Sequence, residues 1–85
     1  MYTPLSKLLE GEVATVVNVG SGTADSALKH LFRRLAELGF MPGETVKMLR
    51  KSLGGEPIAV RIGNSTFALR RHEAEHISVE LVKTK

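Results

Sequence analysis

Apolar residues recur at Leu28, Leu31, Phe32, Leu35 and Leu38, the three-then-four spacing that gathers one stripe on a helix. This predicts an α-helix over about residues 24–38, with Lys29, His30, Arg33, Arg34 and Glu37 on its exposed side. Thr23 or Asp25 would cap its start, and Asp25 also suits the positive end of the helix dipole. On both sides of this stretch the period changes to two. Glu12–Val19 is rich in β-branched residues and reads as a strand in which Val13, Thr15, Val17 and Val19 share a face. Thr45–Lys51, Ile58–Ile62, Thr66–Arg70 and Ile77–Val82 read as further strands, the last with Ile77, Val79 and Leu81 inward. Strict alternation along Thr45–Lys51 puts Lys47 and Lys51 on one face, and Arg50 with Val46 and Met48 on the other. Short helical turns are predicted near 5–9 and 71–76, and Lys83–Lys85 should fray.

The joints between these elements have their own chemistry. Gly39 stands where a helix ends on a left-handed residue, which would set Phe40 against Leu35 in a Schellman motif. Met41-Pro42-Gly43-Glu44 then carries Pro and Gly at the two central positions of a type II turn. Gly63-Asn64 fits a two-residue II′ hairpin between adjacent strands. Strands joined mostly by hairpins do not make a doubly wound sheet, whereas they can curl into a barrel that removes open edges. The expected architecture is mainly β: one domain over residues 1–85, a small barrel of about five strands with one inserted helix.

The corner belongs to a longer pattern. Leu35-Ala36-Glu37-Leu38-Gly39-Phe40-Met41-Pro42-Gly43-Glu44-Thr45-Val46 is followed by Gly55-Glu56-Pro57-Ile58, then by Phe67-Ala68-Leu69-Arg70-Arg71 with Glu73-Ala74. Together these segments resemble the FeoA family, and the resemblance runs from Leu5 to Leu81. It implies an SH3-like β-barrel, in agreement with the strand count. It also implies a non-enzymatic, cytoplasmic accessory or regulatory role in ferrous iron uptake, with the membrane GTPase FeoB as partner.

Composition narrows the chemistry. The 85 residues include no cysteine, so disulfides and thiolate metal sites are excluded. No basic start leads into a long apolar run, and no apolar stretch approaches the ~20 residues of a membrane span. Neither a signal peptide nor direct membrane insertion is therefore expected. The serines lack a recognisable activating motif, and Gly20-Ser21-Gly22 is too short for a phosphate-binding P-loop, so catalysis is set aside. A formal charge of +3 raises nucleic acid as an alternative partner. Single-strand binding also wants aromatic platforms, and three of Tyr2, Phe32, Phe40 and Phe67 look buried by their spacing. Nucleic acid is thus not expected, and with no Trp the aromatic groove of a proline-peptide reader is absent too.

Two constellations remain. His72 and His76 would share one face of a helical turn, with Glu73 beside them, as a weak divalent site better suited to zinc than to ferrous iron. No cofactor is required by this reading, and the alternative it opens is a metal-responsive module whose two copies are bridged into a homodimer. The second constellation is a protein-contact set: Met41 beside Arg34 at the corner, with the basic Lys51 and Arg71.

Overall fold

The computed structural model describes residues 2–20 and 26–82. In chain order it contains β1 (Thr3–Pro4), a 3₁₀ turn (Leu5–Lys7), β2 (Val13–Val19), α1 (Ser26–Leu38) and β3 (Thr45–Lys51). A second 3₁₀ turn (Leu53–Gly55) leads to β4 (Ile58–Ile62), β5 (Ser65–Leu69), α2 (Arg71–Ala74) and β6 (Ile77–Leu81). The expected caps Thr23 and Asp25, and the tail Lys83–Lys85, lie outside the described residues.

All six strands join one antiparallel sheet in the order β1-β6-β2-β3-β4-β5. β2 to β6 answer to the strands read from periodicity. β1 is new: two residues, one of them Pro4, pair Thr3 with Val79 and Pro4 with Ser78. A segment that short has no alternation to read. Gly63 has φ +59 and joins Ile62 to its partner Ser65, as the II′ reading required.

The strand faces needed correction, and the cause is the same twice. A bulge at Val17 lies between the pairs Val16–Val79 and Asn18–Ser78. Before it Ala14 and Val16 point into the core; after it Val19 does, opposite Ile77. The face Val13-Thr15-Val17-Val19 is therefore split. A bulge at Leu49 likewise separates Met48–Val60 from Arg50–Ala59. One extra residue reverses the side on which every later side chain falls. Lys51 consequently pairs with buried Ile58 and is itself half-buried, while Lys47 and Arg50 are exposed. In β6 the inward face ends at Val79, and Leu81 is largely exposed.

One core gathers the inward faces: Ala14 and Val16 of β2, Val46 and Met48 of β3, Ile58, Val60 and Ile62 of β4, and Ile77 and Val79 of β6. Leu5 and Leu8 close one side of it, and Leu35 and Phe40 are buried in it as well. Each fully buried side chain of this size contributes about 1.5–3 kcal/mol of transfer free energy. Of the helical stripe, Leu35 is fully buried and Leu31, Phe32 and Leu38 are half-buried.

Candidate functional site

The corner after α1 is built as its residues dictate. Gly39 has φ +114; its N–H donates to the carbonyl of Ala36, and the Phe40 N–H donates to that of Leu35, both at 3.0 Å. Those two bonds define the Schellman motif. The Glu44 N–H then donates to the Met41 carbonyl at 3.0 Å around Pro42-Gly43, closing the turn. Both sides of the turn are fastened to β2: the Gly43 N–H donates to the Val16 carbonyl, and the Val16 N–H to the Glu44 carbonyl, each at 2.8 Å. Phe40 is fully buried with its ring centroid 6.0 Å from that of Phe67, whereas Met41 is 53% exposed. The turn thus holds an apolar, adaptable side chain in solvent on a fixed backbone.

Arg34 sits on α1 a little before this corner and reaches across to α2. Its guanidinium Nη1 lies 3.5 Å from Glu73 Oε2. The other oxygen, Glu73 Oε1, accepts the backbone N–H of Arg70 at 2.8 Å and so covers the start of α2. Both carboxylate oxygens are occupied within the chain, which lets the Glu73 side chain lie only 11% exposed. A shallow groove of about 440 Å³ lies beside this pair, and Arg34, Arg70, His72, Pro57 and Leu69 are among the residues that line it.

Lys51 and Arg71 meet elsewhere. With Ser6 and Lys7 they line a second pocket of about 300 Å³. The bulge at Leu49 turns Lys51 into it, and the Lys51 ammonium donates to the Ser6 carbonyl at 3.0 Å. The Lys51 backbone N–H is held by Glu10 Oε2 at 2.7 Å, and that of Arg71 by Glu56 Oε1 at 2.9 Å. Arg71 Nε also faces Glu75 Oε2 at 3.6 Å. Of the four contact residues expected from the sequence, the structure brings together Lys51 with Arg71. Arg34 borders the groove, and Met41 stands at the corner.

The histidines are placed differently from one another. α2 ends at Ala74, so His76 lies beyond it, and its ring meets the edge of Phe32 at 5.5 Å with a 68° interplanar angle. His72 is exposed on the groove. Among the described residues no three His, Asp or Glu side chains converge as a metal site. Sequence reasoning passed over Ser6, Lys7 and Arg70, which border the two hollows. Only the local basic character of Lys7 and Arg70 pointed to them.

The fold is that of an SH3-like β-barrel. The FeoA of Stenotrophomonas maltophilia, solved in complex with zinc and described as a procaryotic SH3 domain protein, superposes with a TM-score of 0.79 at 42% identity. That match covers 92% of this chain and 89% of that one. The FeoA of Chlorobium tepidum superposes with a TM-score of 0.78 at 34% identity, over 95% of this chain and 71% of that one. The family model for the FeoA domain matches residues 3–81, and the chain belongs to the FeoA family. It is also 34% identical over 82 residues to the Fe(2+) transport protein A/Fe(2+) transporter FeoB fusion protein of Porphyromonas gingivalis. There the match spans 94% of this chain and 9% of a far longer protein. Among the described residues no helix is long and apolar enough to cross a membrane.

Proposed function

We propose that this chain is a non-enzymatic, cytoplasmic accessory protein of ferrous iron uptake that docks on the cytoplasmic part of a FeoB-type GTPase. The observation that carries the reading is the Porphyromonas gingivalis protein, in which a relative of this domain and the FeoB transporter form one chain. Fusion keeps two parts at a high effective concentration, an arrangement that suits parts acting on each other. The contact residues are Met41 at the corner and Arg34 on α1 before it, and, on a separate part of the surface, Lys51 and Arg71. An exposed methionine on a rigid turn adapts to a partner pocket, and surface cations steer the approach.

Co-purification with FeoB tests it. Wild-type chain should retain FeoB, and Met41→Asp should weaken the association by about tenfold, since burying a carboxylate in an apolar pocket costs at least that much. Failure of the wild type to retain FeoB overturns the reading. Undiminished retention by Met41→Asp moves the contact surface away from the corner.

A second reading rests on His72. Its imidazole is exposed while the adjacent Glu73 is fully engaged, so a divalent metal held there would take its remaining ligands from a second copy. The zinc complex of the Stenotrophomonas maltophilia FeoA favours zinc as that metal.

A further inference from the structure

The outer face of β3 and β4 holds a pairing that stability alone does not favour. Lys47 of β3 and Arg61 of β4 stand directly opposite each other, and both are exposed. Like charges in that relation destabilise a sheet. Their row crosses four strands as Val13, Lys47, Arg61 and Thr66, with no acidic residue in it. The bulge in β3 adds to the same face: Leu49 and Arg50 are both set against Ala59, and both are exposed.

The carboxylates are engaged elsewhere. Among the described residues none forms an ion pair with Lys47, Arg50 or Arg61. Glu73 and Glu75 face Arg34 and Arg71, and Glu56 accepts the Arg71 N–H. Glu12, next to Val13, directs its carboxylate to the Leu9 N–H. Glu10 sits at the Lys51 N–H and so offsets part of the Arg50 charge. Glu44 precedes β3, and Glu80 pairs with Thr15 two strands away. By strand spacing both are about 10–12 Å from Lys47, beyond the Debye length of about 8 Å at physiological salt. Lys47 and Arg61 remain as the uncompensated charge.

The setting of these side chains selects their occupant. They rise from one face of adjacent strands, so they meet a surface rather than enclose a small anion. No exposed ring accompanies them: Phe32, Phe40 and Phe67 are buried or half-buried, and Tyr2 precedes β1, three strands from β3. The stacking platform of a single-strand nucleic-acid site is therefore missing. An exposed leucine among cations fits the boundary between phosphate headgroups and acyl chains, which takes both.

We propose that the outer face of β3 and β4 lies on the surface of an anionic phospholipid bilayer, with Lys47 and Arg61 against the headgroup phosphates and Leu49 at the interface. This goes beyond the docking reading and uses none of its four contact residues.

The test is co-sedimentation of the full chain with vesicles of equal parts phosphatidylglycerol and phosphatidylcholine, beside vesicles of phosphatidylcholine alone. At low ionic strength the wild type should bind the anionic vesicles and not the neutral ones. Lys47→Gln and Arg61→Gln should each weaken binding about fivefold, whereas Lys29→Gln, the same charge lost from α1, should leave it unchanged. Leu49→Ser should weaken vesicle binding about threefold and leave binding to heparin, a polyanion without acyl chains, as it was. Thermal unfolding of Arg61→Gln should come no lower than that of the wild type, since a like-charge pair is removed, so its weaker binding is not a loss of fold. No binding to anionic vesicles, equal binding to neutral ones, or an equal loss from Lys29→Gln overturns the proposal. Tighter binding to duplex RNA than to vesicles overturns the choice of lipid. The vesicles hold no FeoB, so this result and the co-purification fail or succeed independently.

Discussion

Gly20 is buried at the end of β2 with φ +90, and its N–H donates to the His76 carbonyl at 2.7 Å. A Cβ built there would stand 2.8 Å from Cε2 of Phe32, whose ring also meets His76. Gly20→Ala therefore combines a left-handed backbone with a clash, and should cost about 2–3 kcal/mol in chemical denaturation. The sequence marks Gly20 as a strand breaker but gives no hint of the ring above it. Glu73 illustrates the same limit. Beside two histidines it reads as a metal ligand, whereas its oxygens serve the Arg70 N–H and Arg34. The Arg34 contact spans 39 positions in sequence, and no local pattern encodes it.

At the level of elements, the corner between α1 and β3 was legible because each of its parts is a local rule. Gly39 ends the helix, Pro42-Gly43 makes the turn, and Phe40 falls where the motif needs an apolar residue. Its stability should divide accordingly. Phe40→Ala empties a fully buried site and should cost about 3–5 kcal/mol. Gly39→Ala meets only an ordinary contact with Ile62 at 3.5 Å, so it should cost the backbone strain alone, about 1–2 kcal/mol. Thermal unfolding of the two variants measures the difference. The strands were legible in type but not in facing. Bulges at Val17 and Leu49 leave no mark in residue types, since both positions are apolar, as a regular strand would also allow. The second bulge decides the basic pocket, because strict alternation puts Lys51 on the face of Lys47 and the extra residue turns it away.

For the whole molecule, mainly β class, hairpin connectivity and the SH3-like barrel followed from the period-two strands and the family resemblance. What escaped was the two-residue β1 and the order in which the strands pair, which depends on contacts between distant segments. Assembly belongs to this scale too. Sedimentation velocity with and without zinc should show a metal-dependent dimer that His72→Ala abolishes and His76→Ala, lying against Phe32, leaves in place. A monomer at every zinc concentration, or equal loss in both variants, removes the role of His72. The anchoring of the C-terminal half of α1 has a consequence in time. Its C-terminal end is fastened by the Leu35 and Phe40 packing, the paired bonds at Gly39 and the Arg34–Glu73 link, while Lys29 and His30 are exposed. Amide protons from Leu35 onward should therefore exchange only when the sheet itself opens, and native-state hydrogen exchange should give them the same protection as those of β2 and β3.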